Sequence, residues 1–225
     1  MDKKILNTSG YSKVYVVGDL HGEITKLKEK LKEVNFNYST DLLVSVGDLV
    51  DRGEDSLSCL ELIYEDWFVC VKGNHEQMMI DSILNYNEPM INCWVNNGGM
   101  WYFHLTPEER EEVVLSCKYL LDSCPYELLL EHKGKKILIT HGDYPLEFYS
   151  QSTTMSPDNI IWNRSRIENY TKHNHTQRIR DVDLAIFGHT PLKNVTRSGN
   201  CIWIDTGACF GKKLSLIDLD KYLGV

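Results

Sequence analysis

Six side chains with oxygen or nitrogen donor atoms follow short apolar runs of the chain, each one to four residues beyond the run. They are Asp19, His21, Asp48, Asn74, His141 and His189. Carboxylates, imidazoles and an amide together suit divalent ions such as Mn²⁺, Fe²⁺ or Zn²⁺, and this set needs no thiolate. Six ligands also exceed what one ion takes from a protein while it keeps a coordination position open. The set therefore predicts a pair of ions about 3.5–4 Å apart, bridged by one carboxylate.

Each of these residues also has a structural explanation when it is considered alone. A Gly-Asp pair after a strand, as at Gly18-Asp19 and Gly47-Asp48, often forms only a turn, because glycine adopts positive φ and aspartate bonds to nearby backbone. A lone histidine such as His189 is more often an ordinary polar residue. The order of the blocks favours a site: Asp-x-His, Gly-Asp-x-x-Asp-Arg-Gly, Gly-Asn-His-Glu and two further histidines all follow apolar runs.

Alternating apolar runs and helical patterns predict the elements that hold these residues. Residues 14–17, 42–46 and 68–71 have the composition of strands, and a polar turn that contains glycine follows each of them. After the first turn, apolar residues recur at helical spacing over 24–34. Comparable patterns after the other two strands predict a βαβαβ arrangement with a largely parallel sheet. Ligands bind at the carboxyl ends of strands in such a sheet, so the donor residues are expected to meet there.

The second half of the chain returns to strands, after a middle part that is mostly helical. Thr106-Pro107-Glu108-Glu109 predicts the start of a helix that runs to about Leu121. Apolar runs predict strands over 126–130, 136–140, 184–187, 201–205 and 214–218. The polar stretch 149–181 is predicted to be a long loop with little structure of its own. No stretch resembles a linker, so one domain over residues 1–225 is expected.

Composition and charge limit the classes of partner. The chain is 42% hydrophobic and 25% charged, as soluble globular proteins are. Its 24 Lys+Arg against 32 Asp+Glu give a net charge of −8, which argues against nucleic acid or an anionic membrane as the main partner. A phosphorylated substrate is still compatible, because bound metal can reverse the field inside one pocket.

Cysteine usage and the absence of targeting patterns predict a cytoplasmic protein. The seven cysteines form no C-x-x-C pair, which is typical of reduced thiols. The start of the chain has no signal-peptide pattern, and no apolar run approaches the roughly 18 residues of a membrane span.

Three blocks of the sequence carry a resemblance to a known family. They read Gly18-Asp19-Leu20-His21-Gly22, Gly47-Asp48-Leu49-Val50-Asp51-Arg52-Gly53 and Gly73-Asn74-His75-Glu76. Together they resemble the signature of the phosphoprotein phosphatase branch of the metallophosphoesterases. Ile161-Trp162-Asn163-Arg164 and Phe187-Gly188-His189-Thr190-Pro191 are similar to stretches of its bacteriophage lambda type. The resemblance covers essentially the whole chain and implies an α/β fold of the calcineurin-like kind, a sandwich of two mixed β-sheets flanked by helices.

The resemblance implies a metal-dependent protein phosphatase that acts on phosphoserine and phosphothreonine. Asp48 would bridge two divalent ions, and Asp19 and His21 would complete the first site. The ligands that would complete the second site are Asn74, His141 and His189. Mn²⁺ is the expected metal, with Zn²⁺, Fe²⁺ or Ni²⁺ as alternatives. The ions would turn a bridging water into hydroxide that attacks directly, without a phosphoenzyme.

Four further residues are expected to act on the phosphate and on the leaving group. His75 is assigned as the general acid that protonates the departing oxygen, a role typically worth about 10²–10⁴-fold. Asp51 is expected to accept the other ring N–H of His75 and fix its tautomer, the structural alternative being a helix N-cap or an ion pair with Arg52. Arg52 and Arg164 are expected to clamp the phosphate, since a guanidinium fork matches two phosphoryl oxygens. Arg166 is the competing candidate for the role of Arg164.

Two other functions stay open on the sequence alone. A diadenosine tetraphosphate hydrolase shares the metal site, but that family resembles Gly-Asp-x-Gln-Gly where this chain has His21. A phosphoprotein-binding module without turnover would be expected to lack a ligand or the acid. Phosphotyrosine and phosphohistidine are further candidate substrates, because the motif residues would grip only the phosphoryl group and the metals.

Several other residues have simpler explanations. His104 and His132 have no partner at ligand spacing and are expected at the surface. His173 and His175 stand in a polar stretch and are expected to be solvated. Three tryptophans are expected in the core: Trp94, Trp101 and Trp203.

Overall fold

The computed structural model describes residues 2–150 and 155–225. The strands of these ranges are β1 Lys3–Asn7, β2 Val14–Val17, β3 Leu42–Ser45, β4 Phe68–Cys70, β5 Glu127–His132, β6 Lys135–Thr140, β7 Leu184–Phe187, β8 Thr196–Ser198, β9 Cys201–Trp203 and β10 Leu216–Asp218. The α-helices are α1 Ile24–Glu33, α2 Ser56–Glu61, α3 Asn74–Leu84, α4 Glu88–Asn96, α5 Pro107–Ser123, α6 Asp158–Ile161, α7 Ser165–His173 and α8 Leu219–Leu223. Short 3₁₀ turns lie at Leu62–Tyr64, Gly99–His104 and Ala208–Phe210. Among the described helices, none has the length and apolar character that crossing a membrane requires.

The strands form two mixed sheets. The larger sheet has the order β1-β5-β6-β7-β9-β8, and the smaller has the order β10-β2-β3-β4. In the smaller sheet β2, β3 and β4 are parallel, as the βαβαβ pattern predicts, and β10 joins β2 antiparallel. In the larger sheet β6, β7 and β9 are parallel, while β5 and β6 pair antiparallel. The predicted α/β class with two mixed sheets flanked by helices is confirmed.

A continuous apolar layer packs the two sheets against each other. Val14 and Val44 of the smaller sheet meet Leu130 and Ile139 of the larger sheet, and all four side chains are fully buried. Alternate residues of the smaller sheet, such as Tyr15, point the other way and pack on the helices. Both faces of the central strands are therefore covered, which explains why β2 and β3 read as unbroken apolar runs.

The stretch that was predicted to be an unstructured loop contains two helices, so that prediction was wrong for α6 and α7. Helix α7 is polar, and its start depends on a residue distant in sequence. The carboxylate of Asp143 accepts hydrogen bonds from the backbone N–H groups of Arg166 and Ile167 at 2.7 and 2.9 Å. Because this carboxylate serves as a cap from outside the helix, no local pattern reveals it. Residues 151–154 of the stretch lie outside the described ranges.

The two histidines expected at the surface differ in burial. His104 is exposed, but His132 is buried, so the prediction for His132 was wrong. The ring of His132 lies between the hydroxyl of Thr8 and the carboxylate of Asp220, at 2.8 Å from each. Both partners belong to elements far away in sequence, which is why spacing alone did not reveal them.

The layer between the sheets predicts an uneven response to truncation. Leu130 is fully buried there, so we expect Leu130→Ala to lower the free energy of unfolding by about 2–5 kcal/mol. Leu115 on α5 is 58% exposed, and Leu115→Ala is expected to change it by about 0.5 kcal/mol or less. Urea denaturation measures both. Equal losses would contradict the burial of Leu130 between the two sheets.

Candidate active site

The turns that follow β2, β3 and β4 in the smaller sheet and β6 and β7 in the larger sheet meet at one end of the sandwich. Two hydrogen bonds tie the turns of one sheet to those of the other. The ring Nδ1 of His141 donates to the carbonyl of Val46 at 2.8 Å. The backbone N–H of His189 donates to the carboxylate of Asp19, with the shorter distance 3.0 Å. The carboxyl ends of strands from both sheets therefore build one site.

Two groups of donor atoms share the carboxylate of Asp48. The first group joins His21, Asp48 and His75, and the second joins Asp48, His141 and His189. Within each group the donor atoms lie within 4.8 Å of one another. Asp48 Oδ2 is 3.5 Å from His21 Nε2 and 3.2 Å from His141 Nε2. The shared carboxylate is the one that the family resemblance implies as the bridge between two ions.

The two remaining predicted ligands lie beside these groups in different ways. Asn74 Oδ1 is 3.0 Å from His141 Nε2, so it adjoins the second group. Asp19 stands outside both groups, where its carboxylate accepts the backbone N–H of His189. Gly188 allows this approach, because a Cβ there would lie 2.2 Å from Asp19 Oδ1. The assignment of Asp19 as a metal ligand stays a prediction.

Ring orientation tests whether the second group fits a cation. In His141 the Nδ1 proton is committed to a backbone carbonyl, so Nε2 is the nitrogen that faces the site, and it is an acceptor when the ring is neutral. That nitrogen faces Asn74 Oδ1 and Asp48 Oδ2, which are acceptors as well. In the first group, His21 Nδ1 donates to the carbonyl of Val50 at 2.8 Å and leaves Nε2 for a ligand in the same way. Convergent acceptors of this kind fit a divalent ion.

Burial and neighbouring charges together set the charge states of the histidines and of the shared carboxylate. It lowers the pKa of His21 to about 3 and that of His189 to about 2, so both rings are neutral, the form that binds metal. Burial alone would raise the pKa of Asp48, but the charge of His141 and its hydrogen bond hold it well below its usual range. Burial would lower the pKa of His141, but the charge of Asp48 raises it. The site therefore presents an ionised carboxylate that favours a positive charge beside it, at the place where a cation can bind.

Further buried carboxylates lie close enough to raise one another's pKa. Burial raises the pKa of Asp19, and the charges of Asp205 and Asp48 raise it further. Burial and the charge of Asp48 also raise the pKa of Glu76. Such crowding of negative groups is relieved by cations, which is a second reason why the site fits metal ions. Asp205, just after β9, was not singled out from the sequence, although its place at a strand end was a usable signal.

His75 is held by a buried carboxylate. Its Nδ1 donates to Asp51 Oδ2 at 2.5 Å, and its Nε2 is buried with no hydrogen-bond partner among the described residues. The carboxylate of Asp51 also accepts the indole N–H groups of Trp94 and Trp101. Asp51 is not a helix N-cap, because Asp55 caps α2. The two indole bonds were missed by sequence reasoning, which predicted core packing, with contact to a substrate at the cleft as the alternative. Of the three tryptophans, Trp101 is only half-buried.

The two predicted phosphate-binding arginines flank the donor groups on different sides. Arg52 Nη1 lies 2.6 Å from His21 Nε2, beside the first group. Arg164 Nη2 donates weakly to the carbonyl of His189, at 3.4 Å, beside the second group. Arg166 is 4% exposed and donates to the backbone carbonyls of Tyr144 and Leu146, which follow β6, so its guanidinium is already engaged.

Left-handed backbone is concentrated in these turns. Five non-glycine site residues have positive φ: His21 at 45°, Asp48 at 51°, Asp51 at 76°, Arg52 at 71° and His189 at 66°. Each such residue costs about 1–3 kcal/mol and persists only when its surroundings fix it. Fully buried Glu76 supplies much of that fixation. Its carboxylate accepts the backbone N–H groups of Gly73, Asp48 and Leu49 at 2.7–2.8 Å, and so joins the turn after β3 to the start of α3.

Comparisons with known proteins identify relatives of this chain. The profile of the family described as calcineurin-like phosphoesterase matches residues 12–193. Serine/threonine-protein phosphatase 1 of Salmonella typhimurium is 37% identical over 214 residues, which cover 94% of each chain. Serine/threonine-protein phosphatase 2 of Escherichia coli is 34% identical over 211 residues, covering 93% of this chain and 94% of the relative. The crystal structure of a putative diadenosine tetraphosphatase superimposes with a TM-score of 0.61 at 17% identity, covering 96% and 97%, which shows the fold alone.

The role of Glu76 as a tether predicts a large loss of stability. Glu76→Ala leaves three buried N–H groups without a partner, so we expect the free energy of unfolding to fall by about 3–5 kcal/mol. Glu76→Gln keeps one acceptor oxygen and should lose less. The matched control is Glu109→Ala, which removes a partly exposed capping carboxylate from α5 and should cost about 1 kcal/mol or less. Urea unfolding without added metal measures all three. A loss in Glu76→Ala no larger than in the control would contradict the tether.

Proposed function

The chain belongs to the calcineurin-like phosphoesterase family, and we propose that it is a metal-dependent phosphatase that hydrolyses phosphoserine and phosphothreonine in proteins. The observation that carries the proposal is the carboxylate of Asp48, which belongs to both groups of side chains that could hold a metal ion. The relatives named serine/threonine-protein phosphatases, which match nearly the whole chain, support the substrate class. Phosphotyrosine and phosphohistidine stay within the proposal as further substrates.

Two divalent ions would be held at the shared carboxylate. We propose Mn²⁺ for both, with His21 and Asp19 completing the first site. The second site would be completed by Asn74, His141 and His189. When bound, the ions would neutralise the phosphoryl oxygens and activate a water for in-line attack.

His75 would move the proton that the leaving group needs. Its Nδ1–H is bonded to Asp51, so Nε2 is the nitrogen that would carry the acidic proton; it has no hydrogen-bond partner among the described residues and lies 3.9 Å from Asp48 Oδ2. In the proposed reaction the P–O bond breaks, and the Nε2 proton passes to the departing serine or threonine oxygen. An alkoxide is a poor leaving group, so this transfer contributes most to alkyl phosphates.

Arg52 and Arg164 would hold the phosphoryl group from two sides. The side chain of Arg52 is exposed, so it is free to leave the lone pair of His21 and turn toward a phosphate. Arg164 is half-buried and lies on the side of His189. Guanidinium forks on both sides would fix the phosphorus for attack along one line.

The two alternative functions have less support. The likeness to a diadenosine tetraphosphatase structure extends to the fold only. A binding module without turnover does not need the unpartnered ring nitrogen of His75 beside the metal-binding donors.

We also propose a cytoplasmic location and one domain over residues 1–225. Phosphoproteins are the proposed partners, in place of nucleic acid or membranes, and the net charge of −8 supports that choice of partner.

Replacement of His75 tests the acid step. We expect His75→Asn to lower kcat on a phosphoserine peptide by about 10²–10⁴, because the alkoxide then leaves unprotonated. The loss on p-nitrophenyl phosphate should be much smaller, since p-nitrophenolate needs little protonation. Metal quantified on the same samples should be unchanged. Equal losses on both substrates, or lost metal, would show that His75 is not the acid.

Replacement of Asp48 tests the shared carboxylate. After loading with Mn²⁺ and dialysis, elemental analysis should find about two ions per wild-type chain. Asp48→Asn should lose both, whereas His21→Gln should lose only one. Asp41→Asn is the control, because Asp41 is a buried carboxylate bonded to the backbone of Asn37, outside the site. Retention of one tight ion in Asp48→Asn would contradict the bridge.

A further inference from the structure

Two tryptophans meet the carboxylate that holds His75. Trp94 Nε1 lies 3.0 Å from each oxygen of Asp51, and Trp101 Nε1 lies 2.7 Å from Oδ1. His75 Nδ1 reaches Oδ2 at 2.5 Å. Three N–H donors therefore converge on one carboxylate, whose residue is 0% exposed.

Core packing does not explain the direction of the second indole. Trp94 is 1% exposed, so its N–H needs an internal partner. Trp101 is only half-buried, and its N–H would be satisfied by water if the ring pointed outward. The ring points inward, and it makes the shorter of the two indole bonds to Asp51.

The local backbone is shaped to deliver both rings to the same carboxylate. Helix α4 carries Trp94 and ends at Asn96, Asn97 is its C-cap, and Gly98 then adopts φ of 115°. Gly99 passes directly over the indole of Trp94, because a Cβ there would lie 2.5 Å from its ring atoms. The following 3₁₀ turn brings Trp101 back to Asp51, and the two rings pack edge to face with centroids 6.3 Å apart.

We infer that Trp94 and Trp101 are positioning residues for the proton transfer. Their N–H groups fix the plane of the Asp51 carboxylate, and that plane fixes the direction of His75 Nε2. The inference rests on the proposed function of His75 as the acid. Neither indole is required to touch the substrate or a metal ion.

The physical reason lies in the freedom of a carboxylate. Held by one partner, the group rotates about its Cβ–Cγ bond, and the imidazole that is bonded to one oxygen tilts with it. Donors on both oxygens remove that rotation. Because Nε2 lies across the ring from the bonded Nδ1, a small tilt at Asp51 displaces the acidic proton. Displacements of about 1 Å at a reacting group can cost about 10²-fold in rate.

Trp101→Phe tests the inference, because it keeps an aromatic ring and removes the N–H. We expect kcat on a phosphoserine peptide to fall about 10-fold, with KM and metal content unchanged. On p-nitrophenyl phosphate kcat should change by about 2-fold or less, because that leaving group needs little protonation. In the His75→Asn background, Trp101→Phe should add no further loss, since the indole acts only through His75.

Trp67→Phe is the matched control. Trp67 Nε1 donates to Glu65 at 2.8 Å, so this variant also removes an indole–carboxylate bond. Trp67 lies just before β4, whereas the site turn follows the opposite end of that strand. Both substrates should be turned over as in the wild type. Trp94→Phe should resemble Trp101→Phe, and the thermal unfolding midpoint shows whether this buried variant is folded.

Several outcomes would overturn the inference. They are equal losses of Trp101→Phe on both substrates, a lowered metal content, or a loss that persists unchanged in the His75→Asn background. Failure of the proposed function looks different. In that case His75→Asn itself lowers kcat equally on both substrates, and the inference is then wrong together with the assignment of His75 as the acid. The contact has its own readout, because the indole ¹H–¹⁵N signal of Trp101 should move in Asp51→Asn.

Discussion

Both sheets contribute to one site because their turns meet at Asp48, whose carboxylate is ionised. The backbone carbonyl of Asp48 accepts the N–H groups of Leu20 and His21, which follow β2. Its Oδ1 accepts the backbone N–H of His75 at 3.1 Å. His141, from the larger sheet, faces Oδ2. One residue is thus in contact with turns from three different strands besides its own. Gly73 makes this approach possible, because a Cβ there would lie 2.1 Å from Asp48 Oδ1.

Assembling such a site works against stability. Left-handed backbone at five non-glycine residues and several buried carboxylates are each unfavourable on their own. The turns keep this geometry because they directly follow short, fully buried strands, which are packed on both faces. The carboxylate of Glu76 links two of those turns directly. The packed strands therefore stabilise the strained conformation of the turns, as is common where a catalytic site is preorganised.

The sequence reveals the parts of this site that depend on local patterns. Strand, turn and helix recur after each early apolar run, so the strand ends and the donors beyond them were predictable. The hydrogen bonds that join residues distant in sequence were not predictable. The indoles of Trp94 and Trp101 reach Asp51 from about 43 and 50 positions away. Helix α7 begins because Asp143 caps it from another element, and no pattern within α7 encodes that bond. Long-range hydrogen bonds leave no periodic signal, so they become visible only in the folded chain.

The most direct measurement of the central claim is the location of the metal ions relative to Asp48. Crystals grown with Mn²⁺ and measured near the manganese absorption edge give the ion positions from anomalous scattering alone. We expect two peaks about 3.5–4 Å apart, each within direct coordination distance of the Asp48 carboxylate. One peak should lie toward His21 and the other toward His141 and His189. A single peak at saturating Mn²⁺, or a second ion that does not contact Asp48, would contradict the account.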